Sequence, residues 1–214
     1  MPLAFEPYAE QVEVWPKAGR HILAQFDSES VIVYQAYNPA IGRFAVEHQT
    51  FGGDFSFSRM SWIKPNFLWM MYRSGWGTKP HQEVTLALRV RRAFFDSLLA
   101  DAVPSSWDRD LHATPEEWSR AVGRSAVRLQ WDPDHHPNGG KLDRRAIQLG
   151  LRGPVLEAFG TTELLEVFDL SEFVAEQRAV LESRGVAALV TPRERVYLPA
   201  DPATAPRLKL AAAE

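Results

Sequence analysis

The sequence predicts an α+β fold: a mainly antiparallel sheet, one that can be split, with helices packed on it in a single domain. Three observations predict it. Short β-branched and aromatic runs are bounded by polar or glycine and proline punctuation. Several helices open on a capping residue followed by proline. The two kinds of segment mix without the strict alternation of a doubly wound parallel sheet. A chain of 214 residues with 45% hydrophobic content suits one domain that buries its own core.

Residues 1–18 carry Pro2, Pro7 and Pro16 without a clear period and read as an arm lying on a domain of residues 19–199. Residues 21–26 and 31–37 flank Asp27-Ser28-Glu29-Ser30, which reads as strand, turn and strand. Asn38-Pro39 starts a helix to about residue 48, because Asn caps free N–H groups and Pro gives up only an N–H that had no partner. Gly52-Gly53 ends that connection, and residues 59–63 form a short strand entering Lys64-Pro65. Pro65 disfavours helix before it and admits one after it, so residues 66–74 form a short apolar helix closed by Gly75. A strand over 83–90 and a helix over 93–100 follow, the helix packed by Phe94, Phe95, Leu98 and Leu99. Thr114-Pro115-Glu116-Glu117 has the cap, proline and early acids of another helix start. Residues 127–131 and 145–151 read as strands around the loop DPDHHPNGGKLD. Gly153-Pro154 opens a short helix, 164–168 is a strand, and 171–183 is a helix ended by Gly185. The tail over 200–214 is rich in Ala and Pro and reads as loose.

Composition excludes several functions. The chain has no cysteine, which rules out disulfides, thiol nucleophiles and Cys-ligated zinc and makes the cytoplasm the expected compartment. No apolar run approaches the roughly 20 residues of a membrane helix, and the N-terminus lacks the basic and apolar regions of a signal peptide. A formal charge of −3 argues against a general nucleic-acid coat, so a polyanion site has to be local. Gly75-Trp76-Gly77-Thr78-Lys79 lacks the spacing of a phosphate loop and reads as a turn. Neither G-x-G-x-x-G nor G-x-S-x-G occurs. Asp132, Asp134, His135 and His136 stand in a proline-broken loop, where a structural reading is favoured over a metal site.

The stretch 58–79, SRMSWIKPNFLWMMYRSGWGTK, is the local reversal of sign. Arg59, Lys64, Arg73 and Lys79 stand among Trp62, Phe67, Trp69, Tyr72 and Trp76, and no acid falls between Asp54 and Glu83. Cations beside aromatic faces bind phosphate and stack on a ring. The four cations are the candidate phosphate contacts, Tyr72 and Trp76 the candidate stacking faces, and Gln35 a candidate polar contact. If the strands around the DPDHHPNGGKLD loop pair, Arg128 comes near Gln148 and Arg145 near Trp131, a candidate far wall of the same pocket. The competing reading is a core element whose Lys and Arg stems reach past it to solvent, with Phe67 and Trp69 buried.

The segments VYQAYNPAIGRFAV, SRMSWIKPNFLWMMYRSGWGTK, VRLQWDP and RAIQLGLRG, in that order, resemble the bacterial and fungal proteins grouped as domain of unknown function 4291. That resemblance implies a grouping and no activity. A strand ending in Tyr-Gln-Ala-Tyr that enters a helix is also similar to the opening of ADP-ribosyltransferase-type domains, which bind NAD in a split antiparallel sheet. Those domains usually carry His or Arg near the place of Gln35 and a catalytic Glu on a later strand; Glu83 is the acid nearest the basic stretch. The expectation is a domain binding a small nucleotide-like, phosphate-bearing ligand, NAD or another nucleotide, with transferase chemistry as the extension. The alternatives are a noncatalytic module for single-stranded nucleic acid and a protein-interaction domain.

Overall fold

The computed structural model describes residues 2–212. β1 (Phe5–Pro7) runs straight into α1 (Tyr8–Val14), followed by the short strands β2 (Gly19–Arg20) and β3 (Ile22–Ala24). β4 (Ser30–Tyr37) leads into α2 (Pro39–His48), where Asn38 Oδ1 accepts the Ile41 N–H at 3.0 Å. β5 (Ser61–Ile63) precedes α3 (Phe67–Ser74). Asn66 Oδ1 accepts the Trp69 N–H at 2.7 Å, and Gly75, at φ 60°, ends α3 in the left-handed region. β6 (Val84–Arg91), α4 (Arg92–Asp101), β7 (Val103–Pro104) and α5 (Pro115–Arg124) follow, with Thr114 Oγ1 accepting the Glu117 N–H at 3.2 Å. Then come β8 (Val127–His135), β9 (Lys141–Leu151), α6 (Pro154–Gly160), β10 (Leu164–Asp169) and α7 (Ser171–Arg184). A 3-10 turn at Val186–Ala188, β11 (Val190–Pro192), β12 (Arg195–Tyr197) and α8 (Thr204–Arg207) complete the order.

The class is α+β with mainly antiparallel pairing. One sheet has the order β10-β6-β4, antiparallel throughout. A second has the order β2-β9-β8-β7, with β5 also paired to β9; only β2 and β7 run parallel to their neighbours. Two small ladders, β1 with β11 and β3 with β12, flank them. The first sheet is buried on both faces. Val31 and Val33 of β4 face the core built on the second sheet, while Ile32 and Tyr34 face α3 and α7 with Phe67, Leu68, Met71 and Val174. This is why β4 is apolar in an almost unbroken run and not in alternation.

The DPDHHPNGGKLD segment is mostly strand, not loop. Asp132 to His135 and Lys141 to Arg144 extend the hairpin, and the turn is confined to His136–Gly140, closed by His136 N–H to Gly140 O at 2.8 Å. A register shift between Pro133 and His135 absorbs the proline. The extension is stabilised by a buried ion pair, Arg144 to Asp134 at 2.7 Å, and by His135, whose ring stacks on Tyr72 with centroids 3.5 Å apart. Residue 1 of the expected arm and residues 213 and 214 of the expected tail lie outside the described residues. Within them, Gln11 of α1 is fully buried: its Nε2 donates to Thr191 Oγ1 at 2.8 Å and its Oε1 accepts the Glu194 N–H at 2.7 Å. Leu208 is buried and Arg207 donates to the carbonyls of Leu99 and Ala102. Among the described residues no helix is long and apolar enough to cross a membrane.

α3 is mounted from its N-terminal end. The Glu194 carboxylate, 1% exposed, accepts the Phe67 N–H at 2.7 Å and an Asn66 side-chain N–H at 3.1 Å, so one buried acid satisfies an orphan backbone donor of the helix and holds the side chain of its N-cap. Burial pushes the Glu194 carboxyl well above its ordinary range, against the pull of those donors. Phe67, 1% exposed, packs edge-on to Tyr34 with centroids 5.5 Å apart. Truncating it, Phe67→Ala, is expected to lower the unfolding free energy by roughly 3–5 kcal/mol in urea titrations with an unchanged m-value. A loss under about 1 kcal/mol would contradict this placement of the ring.

Candidate functional site

The two larger sheets meet at a single residue pair. Tyr34 N–H donates to Lys64 O at 2.7 Å and Lys64 N–H donates to Tyr34 O at 3.3 Å. After Pro65 the chain turns into α3 and the pairing ends. The sheets part from this junction, and a cleft of about 320 Å³ opens between the end of β4, β5, β9 and α3. A second cavity of about 370 Å³ shares Tyr37, Arg59, Met60, Ser61 and His81 with it, so the two form one groove.

Lys64 lies in this cleft and is 5% exposed. Among the described residues no carboxylate reaches ion-pair distance of its Nζ. Burial first, and the charge of Arg73 second, lower the ammonium to about 8 against the opposing field of Asp132. Asp132 acts on Lys64 from beyond ion-pair distance, its carboxylate held by Gln130 Nε2 at 2.8 Å and Gln148 Nε2 at 2.7 Å. Gln35, 3% exposed, donates through Nε2 to Ser61 Oγ at 2.8 Å and to the Trp62 carbonyl at 3.1 Å. A carbonyl only accepts, which fixes the orientation of the Gln35 amide and leaves its buried Oε1 without a partner. Tyr37 and Ser61 are hydrogen-bonded through their hydroxyls at 2.8 Å, and burial pushes the Tyr37 phenol up. Arg59 and Arg73 are exposed at the mouth, Arg73 donating to Gln82 Oε1 at 3.3 Å.

Of the residues singled out from the sequence, the cleft gathers Gln35, Arg59, Lys64, Arg73 and Gln148. The others stand elsewhere. Tyr72 and Trp76 line a separate cavity of about 540 Å³ against α7 and the His136–Gly140 turn, where Trp76 Nε1 donates to Pro137 O at 3.2 Å. Lys79 folds back on the end of α3, its Nζ donating to Arg73 O at 2.8 Å and lying 5.9 Å from the Tyr72 ring centre. The hairpin register puts Arg128 opposite Gly150 and on the face that carries Gln148. Trp131 and Arg145 share the opposite face, so the two pairs cannot wall one pocket. Trp131 packs on the core with Arg20 5.9 Å from its ring centre, and Arg145 is exposed. Trp69 and Phe67 are buried as the core reading expected. Glu83 is exposed and accepts the His81 N–H at 2.9 Å, outside the cleft.

Sequence reasoning missed Ser61, Trp62 and Asp132. Trp62 carried a usable signal, because alternation along Ser61-Trp62-Ile63-Lys64 sets it on the side of Lys64, and Ile63 is in the core. Trp62 spreads over Gly150, where an added Cβ would meet its ring at 3.0 Å. Asp132 lies two positions from Gln130 along β8, a spacing visible only once the loop is known to be strand.

No curated protein matches the chain. One family, described as domain of unknown function (DUF4291), matches residues 21–197, and every residue lining the cleft falls within that span. The match covers most of the 214 residues, and the chain belongs to the DUF4291 family.

Proposed function

We propose that the cleft at the junction of the two sheets binds a nucleotide-like, phosphate-bearing ligand. The observation that carries the reading is Lys64, a buried ammonium with no carboxylate at ion-pair distance among the described residues, in a cavity whose mouth holds two more cations, Arg59 and Arg73. An uncompensated buried charge destabilises a fold, and a bound anion is the natural compensation. Arg59 and Arg73 suit the phosphate, since guanidinium forks hold its oxygens while remaining charged at any physiological pH. Trp62 offers a ring face on the same side, and the free Gln35 Oε1 suits an amine or hydroxyl of the ligand.

Group transfer from such a ligand, NAD among the candidates, is the enzymatic extension, after the ADP-ribosyltransferase likeness. A polar cleft between parting antiparallel sheets supports it, and Asp132 is the acid bordering that cleft. Binding of single-stranded nucleic acid draws less support. Its aromatics would have to form an exposed row, whereas Phe67 and Trp69 are buried and Tyr72 and Trp76 line a different cavity.

Titration calorimetry with pyrophosphate and adenosine diphosphate is expected to show affinity falling about tenfold, or about 1.4 kcal/mol, in each of Arg59→Ala and Arg73→Ala. Trp76→Ala, in the other cavity, should leave it unchanged. If Lys64→Ala and Arg73→Ala both bind as the wild type does, the assignment fails.

Lys64 also predicts an opposition of stability and function. Its folded value of about 8 lies below the unfolded value of 10.5, so between those limits the unfolded chain binds more protons and this group's contribution to stability rises with pH. Lys64→Met is therefore expected to raise unfolding free energy at pH 7 by roughly 1–3 kcal/mol while weakening ligand binding, and to flatten that rise. A large destabilisation by Lys64→Met would show that the lysine serves the fold.

A further inference from the structure

The floor of the cleft holds an amine as well as a charge. Lys64 is clamped by its backbone to Tyr34 on both hydrogen-bonding groups, so its side chain enters the cleft from a fixed point at the junction of the sheets. The charged and titratable groups around it come from every wall: Arg73 from α3, Arg59 from the approach to β5, His81 from the turn before β6, the Tyr37 phenol from the end of β4, and Asp132 from β8. Three of these are basic residues. The carboxylate among them is already engaged by the amides of Gln130 and Gln148. Attraction of phosphate alone does not require burial, as the two exposed arginines at the mouth illustrate. Desolvation beside another cation is instead the arrangement that frees a lysine's lone pair for attack on a carbonyl.

We propose that Lys64 forms an imine with the carbonyl carbon of a phosphorylated aldehyde or ketone whose phosphate is held by Arg59 and Arg73. This rests on the phosphate-ligand reading of the same cleft and adds a reaction to it. The ammonium first gives one proton to solvent. The Nζ lone pair then forms a bond to the carbonyl carbon as the carbonyl π electrons move to oxygen. The oxygen departs as water, carrying the two remaining amine hydrogens, and the C=N bond closes. No oxidant or reductant is consumed. Lowering of the ammonium to about 8 favours the step, because the free-amine fraction at neutral pH is then on the order of a hundredfold larger than for an ordinary lysine.

The test uses glyceraldehyde 3-phosphate with cyanoborohydride to reduce any imine to a stable amine, followed by peptide mass mapping of the full chain. The chain offers Lys17, Lys79, Lys141 and Lys209 as internal controls. The expected result is an adduct on Lys64 forming at least tenfold faster than on those four, and slower with unphosphorylated glyceraldehyde. Pyrophosphate should block it, and its rate should rise through pH of about 8. Lys64→Met and Lys64→Arg should both lose it while keeping a cooperative melting transition. Equal labelling of all five lysines, or pyrophosphate binding with no adduct on Lys64, would overturn the imine and leave the phosphate reading standing. Selective labelling of Lys64 that pyrophosphate cannot block would do the reverse.

Discussion

The Tyr34–Lys64 pairing is the constraint on which the cleft depends. β4 is committed along its whole length to β6, with Tyr34 opposite Ala87, and it can offer β5 only its other edge. β5 is committed to β9 through Ser61 to Ile63. The two sheets therefore share one residue pair: on one side of it the Ile32 N–H is already given to Gln25 O at 2.9 Å, and on the other β5 follows β9 away from β4. On the side of Gln35 the diverging strands leave the space that holds Gln35, Lys64 and Gln148, bridged by the Gln35 amide through its bonds to Ser61 and Trp62. A divergence of two strands thus becomes an opening between sheets, and the residue at the point of divergence has its side chain trapped inside.

The second requirement is that α3 stay where Arg73 reaches the mouth of that opening. The mount is polar and buried: Glu194 holds the first turn, Gln11 holds the Glu194 backbone, and Trp15 Nε1 donates to the Glu194 carbonyl at 2.9 Å. Such a network is costly when half satisfied and specific when complete. It links the N-terminal helix, the strands near the C-terminus and α3, so residues distant in sequence determine where one arginine stands. The other end of the helix is stopped by Gly75 and by Lys79, whose ammonium lies on the last carbonyls and complements the helix dipole.

Much of the fold was legible because its elements are punctuated. Asn38-Pro39, Pro65 with Gly75, and Thr114-Pro115 each mark a helix end, and those helices stand within a residue of where the punctuation sets them, Asn66 being the cap and not the first residue of its helix. Strands of two or three residues, such as β2, β7 and β11, have no period to read and exist only through their partners. The hairpin beyond Trp131 was illegible for another reason: its polar residues and Pro133 look like a loop, whereas its ladder to β9 and the buried Asp134–Arg144 ion pair hold it as strand. At the site, Tyr72 and Arg73 show the limit most plainly. Neighbours in sequence sit about 100° apart around a helix, so one faces α7 and the other faces the cleft. A basic aromatic stretch could be recognised as a group, but its division between core, second cavity and cleft required the sheet junction.

The most direct test of this account is a ¹⁵N-resolved NMR titration of the protein with adenosine diphosphate, which reports where the ligand sits without presuming a reaction. The account predicts saturable shifts confined to the amides of Gln35 to Tyr37, Arg59 to Lys64 and Gln148, the groups that border the parting of the sheets. Shifts centred on Trp76, Asn138 and Arg178 would place the ligand in the cavity beside α7. That outcome, or a spectrum unchanged at millimolar ligand, would contradict the assignment of the cleft.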